Sequence, residues 1–147
     1  NVHLPSADCI LYAYDYDGDE VADVDEYFGF KLENSEIKFR TSITSDAATY
    51  ATCVGTACCN STNGNWQSVT DVNVISITAL TISDANSKCQ NVTQDQTCAT
   101  GVTAGDTIVA TRELDITITA QLTNDNDVLK SQTGTVKVRN DRIYTQP

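Results

Sequence analysis

Along most of this chain apolar and polar residues alternate with a period of two, and nowhere does a 3.6-residue period persist. Ile10, Tyr12, Tyr14 and Tyr16 alternate with Leu11, Ala13 and Asp15, which predicts a strand feeding directly into an acidic run. Phe28 to Leu32 and Glu36 to Thr41 predict a hairpin turning at Asn34-Ser35. In that register Leu32 faces Ile37 and Phe30 faces Phe39, while Lys31 and Lys38 take the other face. Val72 to Ile82 is apolar on both faces and is expected to be a central strand. Leu114, Ile116, Ile118, Ala120 and Leu122 alternate with Asp115, Thr117, Thr119 and Gln121, the pattern of a strand with one buried face. Thr133 to Arg139 should return beside it through a hairpin at Asn124–Lys130, with Val136 and Val138 inward. Residues 42 to 68 read as a long loop with a short helix near Asp46–Thr52, and Ser83 to Asp106 as a second polar excursion. The expectation is a mainly β fold, an antiparallel sheet with disulfide-pinned loops, in one globular domain spanning 1–147.

The acidic run, Asp15 to Glu26, reads DYDGDEVADVDE. Asp15, Asp17, Asp19, Asp23 and Glu26 fall at positions 1, 3, 5, 9 and 12, the oxygen spacing of an EF-hand-type calcium loop. Position 7 is Val21, which need offer only its backbone carbonyl. Position 6 is Glu20 where the pattern has Gly, and a left-handed Glu there costs on the order of 1 kcal/mol. The plain alternative is a solvated acidic loop, but so many neighbouring carboxylates repel one another unless a cation sits among them. An all-oxygen ligand set favours Ca²⁺ over Mg²⁺.

Charge and cysteine content narrow the class. A net charge of -11 argues against nucleic acid and anionic membrane surfaces, which select Lys and Arg patches. No stretch reaches the ~20 apolar residues of a membrane-spanning helix. With no signal peptide and no Met, the chain reads as a processed protein or an excised soluble fragment. Six cysteines without a C-x-x-C pair point to disulfides in an oxidising compartment rather than to zinc. They allow 15 connectivities, thinned only by the strain of a vicinal Cys58–Cys59 bridge. The preferred set is Cys89–Cys98, Cys53–Cys58 and Cys9–Cys59.

Catalytic chemistry is sparse. His3 is the only histidine and sits in a terminal segment expected to be mobile. Oxidised cysteines leave no thiolate nucleophile, and no Gly-rich phosphate loop is present. The expectation is a protein that is not an enzyme. Asn60-Ser-Thr and Asn91-Val-Thr fit the glycosylation sequon, but so short a pattern arises often by chance.

Seven segments in order add a resemblance. Cys9-Ile-Leu-Tyr-Ala-Tyr-Asp-Tyr-Asp-Gly-Asp comes first, followed by Phe28-Gly-Phe-Lys-Leu and Ile37-Lys-Phe-Arg-Thr. Then come Gly64-Asn-Trp-Gln-Ser-Val-Thr-Asp, Val74-Ile-Ser-Ile-Thr-Ala-Leu-Thr, Arg112-Glu-Leu-Asp-Ile-Thr-Ile-Thr and Val136-Lys-Val-Arg-Asn-Asp-Arg-Ile. Together they cover most of the chain and resemble the globular region of PilW-like minor type IV pilins. The resemblance implies an N-terminal hydrophobic helix, absent here, that anchors the subunit in the inner membrane and later packs in the fibre core. With that helix the fold would count as α+β. It also implies a pilin-like head whose sheet packs against the helix, leaving an apolar strip partly uncovered in the head alone. The implied partners are other pilin subunits, and the implied place is the bacterial cell surface after an inner-membrane and periplasmic stage. The expected roles are pilus assembly, adhesion or twitching motility. Two other readings stay open: a secreted calcium-binding adhesin or carbohydrate-binding module, and a pseudopilin of a type II secretion system.

Overall fold

A computed structural model describes residues 2–15, 17–18, 26–41, 59–60, 65–138 and 142–147. The architecture is mainly β, as the alternation requires, and the described residues include a 3₁₀ turn at Cys98–Thr100. The chain divides into two compact units, Asn1–Ile82 with Thr117–Gln132, and Ser83–Ile116 with Thr133–Pro147.

The first unit is built on a five-stranded antiparallel meander. Its strands β1 (Val2–Ser6), β2 (Cys9–Ala13), β3 (Tyr27–Glu33), β4 (Glu36–Thr41) and β5 (Asn65–Ser68) lie in chain order. The β3–β4 register pairs Phe30 with Phe39, Lys31 with Lys38 and Leu32 with Ile37, as the alternation predicts. Asn34 and Ser35 take φ of 54° and 62° at the tip, the two left-handed residues of a type I′ turn.

Which face is covered is less conventional. Cys9, Leu11, Lys31 and Arg40 share the buried face, and each is 1–2 % exposed. Lys31 can be buried because its ammonium finds three partners. It donates to Glu33 Oε1 at 2.6 Å and to the Cys59 carbonyl at 2.9 Å, and it lies 4.5 Å from the Trp66 ring centroid. The Cys9–Cys59 disulfide fastens the same face, with Trp66 packed on Cys9 and Leu11. The aromatic side of the sheet is the more open one.

Several expectations need correction here. His3 does not sit in a loose end; it lies in β1, opposite Leu11 of β2. Ladder hydrogen bonds outweigh the usual fraying of a terminus. Residues 65–68, expected in the long loop, form β5, which pairs Trp66 with Arg40. The expected helix near Asp46–Thr52 and the Cys53–Cys58 bridge lie outside the described residues.

A three-stranded sheet has the order β11-β10-β6, with β6 at Ile75–Ser83, β10 at Glu113–Leu122 and β11 at Asp125–Lys137. β6 is therefore an edge strand, not a central one. It starts at Ile75, because Asp71 gathers a turn whose carbonyl accepts from the amides of Val74 and Ile75. Its two adjacent exposed residues, Thr78 and Ala79, shift the phase, so Ile77, Leu80 and Ile82 all reach the interior. The β10–β11 turn is shorter than expected: β11 resumes at Asp125, three residues after Leu122. Val136 does not point inward; it is 50 % exposed, as befits an outer strand.

The second unit carries a four-stranded antiparallel sheet of order β12-β9-β7-β8. These are β7 (Lys88–Asn91), β8 (Gln96–Thr97), β9 (Thr107–Thr111) and β12 (Arg142–Thr145). Ile108 and Leu114 are its buried apolar residues. The Cys89–Cys98 disulfide joins β7 to the 3₁₀ turn, with 5.4 Å between the Cα atoms.

Candidate functional site

The acidic loop hangs between two strands, not two helices. β2 and β3 pair antiparallel down to Ala13 opposite Tyr27, and the Tyr14 amide then donates to the Glu26 carbonyl at 3.0 Å. That pairing closes a neck and brings Asp15 next to Glu26, the first and last positions of the run. The Gly18 amide donates to Asp15 Oδ1 at 2.6 Å, and Gly18 itself takes φ of 79°. Here a left-handed residue falls at position 4 of the loop, where Gly supplies it without a Cβ penalty.

Carboxylate oxygens of Asp15, Asp17 and Glu26 lie within 4.8 Å of one another. Two oxygens each ~2.3–2.6 Å from one Ca²⁺ can be no more than about 5 Å apart, and the separations of the three groups lie within that limit. Asp15 and Asp17 are exposed and Glu26 is 1 % exposed, which gives a cluster open on one side and walled on the other. Asp19, Val21 and Asp23 lie outside the described residues. Sequence spacing thus brings three of its six named positions together.

The second surface feature is the open face of the five-stranded sheet. Ile10 and Tyr12 of β2, Phe28, Phe30 and Leu32 of β3, and Ile37 and Phe39 of β4 share it. Tyr12 stacks on Phe28 at 5.7 Å, Phe28 on Phe39 at 6.1 Å, and Phe30 meets Phe39 at 5.0 Å. Burial among these rings pushes the Tyr12 phenol above its ordinary range. Phe30 nevertheless remains 36 % exposed. Tyr14, one residue past the strand, is 63 % exposed and belongs to the loop neck rather than to the row of rings.

Sequence reasoning missed a polar knot in the second unit. Asp106 Oδ2 accepts from the Thr103 amide at 2.8 Å, Thr103 Oγ1 at 2.9 Å, Asn91 Nδ2 at 2.7 Å and Gln94 Nε2 at 2.9 Å. The Thr103 amide does most to hold this carboxyl below the usual carboxylate range, against the opposing effect of burial. Asn91 is 0 % exposed, so this sequon is a structural asparagine, whereas Asn60 is exposed. No short motif announces such a knot, since its members are scattered over polar loop residues.

No helix among the described residues is long and apolar enough to cross a membrane. Residues 1–138 match the family of PpdB, prepilin peptidase-dependent protein B, and the chain belongs to that family. No curated protein and no solved structure matches it. Membership makes it a pilus- or pseudopilus-related protein of the type IV pilin-related systems, with other pilus components as partners and the cell surface as the place of assembly.

Proposed function

We propose that the chain is the head of a PilW-like minor pilin, a non-enzymatic subunit that serves type IV pilus assembly and, through it, adhesion or twitching motility. The observation that carries this reading is the partly open face of Tyr12, Phe28, Phe30, Leu32, Ile37 and Phe39, with Ile10 buried beneath its rim. A monomer gains nothing from leaving stacked rings partly in water, whereas a hydrophobic pilin helix laid across them would bury both surfaces. Family membership supports the same picture, because prepilin peptidase acts on subunits that carry such a helix.

Phe30→Ser in the complete subunit tests it. With 36 % of Phe30 already exposed, the isolated head should lose only about 1 kcal/mol. Surface fibres should fall sharply while the head keeps its fold. Normal fibres would remove the face from the account, and lost secretion with intact fibres would point to a pseudopilin.

Within this reading Asp15, Asp17 and Glu26 hold Ca²⁺, together with Asp19, Val21 and Asp23 from the sequence pattern. The ion would supply positive charge that quenches carboxylate repulsion and fixes the neck between β2 and β3. Extracellular sites of this kind bind at about 10⁻⁴ to 10⁻³ M, so the ion acts as a clamp rather than a signal. At tenfold its Kd, Ca²⁺ should add about 1.4 kcal/mol and raise the unfolding midpoint by a few degrees. Asp15→Ala and Glu26→Ala should abolish that rise. A rise that survives both substitutions would place the ion elsewhere.

A further inference from the structure

β11, Asp125–Lys137, is the outer strand of its sheet, and all 13 of its residues are exposed. Its ladder partner is β10, and among the described residues its other edge borders no further strand of that sheet. The alternating N–H and C=O groups of a strand edge are matched by one kind of occupant, another extended chain. Natural edges usually carry Pro, clustered charge or a bulge to prevent such pairing. Between Val128 and Val136 this strand has no Pro, no Asp or Glu, and a single Lys130. Val128, Leu129 and Val136 stand 40 %, 57 % and 50 % exposed.

The charges on the strand say which extended chain fits. Asp125 and Asp127 open it, and Lys130 and Lys137 follow, so the strand is neutral within a chain of net charge -11. An acid-to-base order is complementary to itself when the strand is laid antiparallel on a copy. We propose that β11 pairs with β11 of a second copy, antiparallel, about a two-fold axis at Ser131. This is the register that overlaps all 13 residues. It sets Asp125 opposite Lys137 of the second copy at both ends, with Val128 opposite Gly134 and Leu129 opposite Thr133. No carboxylate then faces a carboxylate, and Lys130 faces Gln132. The contact is isologous, the form that closes at two copies.

Light scattering on the chain over a concentration series, with a charge swap, tests the proposal. The mass should rise from one copy to two. Asp125→Lys and Lys137→Glu should each weaken the dimer about tenfold, since each turns two attractive pairs repulsive. The double variant should restore it. Ser131→Cys should cross-link to its own copy on mild oxidation far faster than Thr81→Cys, an exposed site on β6. A single-copy mass at every concentration overturns the proposal. So does a dimer indifferent to the single charge changes, or equal cross-linking at the two cysteines.

Discussion

Gly29 shows how much one missing side chain decides. It sits on the buried face of β3, opposite Leu11 on one side and Arg40 on the other. A Cβ there would lie 2.6 Å from Leu11 Cδ2, 2.8 Å from the Ile10 carbonyl oxygen and 3.3 Å from Trp66 Cη2. The backbone oxygen cannot step aside without bending β2, so Gly29→Ala should cost about 1–3 kcal/mol, read as a lower midpoint in chemical denaturation. A midpoint at the wild-type value would mean that Leu11 and Trp66 have room to spare. Asp106 makes a different point. Its folded-state carboxyl titrates below its unfolded value, so the stability it contributes is complete above the unfolded value of about 3.9. That stability is lost as pH falls through the folded value. Asp106→Asn should therefore lower the melting temperature at neutral pH, and the two curves should converge as pH falls below about 4. Parallel curves would show that the carboxylate's charge contributes nothing.

At the scale of elements, the β3–β4 hairpin is the clearest success of the pattern. Paired apolar positions on either side of Asn34-Ser35 fix the register, because a slip of one residue would turn every side chain over. The turn itself is not optimal. Ser35 holds φ of 62°, where Gly would sit at no steric cost, so Ser35→Gly should stabilise the chain by about 0.5–1 kcal/mol in thermal unfolding. A destabilised variant would mean that the Ser35 side chain, and not only its backbone, supports the turn. Alternation gives register but not which side is covered. Lys31 is buried through a carbonyl of Cys59, far away in sequence, and through Trp66 on a strand hidden within a polar loop. Nor does the pattern reveal β7, β8 or β12, whose short sequences KCQN, QT and RIYT carry no sustained alternation. Val136 of β11 looks like a core residue for a related reason, until the strand's outer position is known.

For the whole molecule, the family was legible because its segments run the length of the chain, and 138 residues of match bear that out at the level of a prepilin peptidase-dependent protein. The approach of Asp15, Asp17 and Glu26 was legible in the spacing of the acidic run, and the strand pairing at its neck explains why its two ends meet. One further consequence follows from the Cys9–Cys59 bridge, which joins residues 50 positions apart. Tension applied at the two ends of the chain bypasses everything between those cysteines. At ~3.3–3.6 Å per residue, roughly 170 Å of extensible length is locked away. The excluded span includes the neck of the acidic loop and the β3–β4 hairpin with all of its rings. Under load the chain would unravel before Cys9 or after Cys59, while the residues between them stay unextended until the sulfur–sulfur bond is reduced.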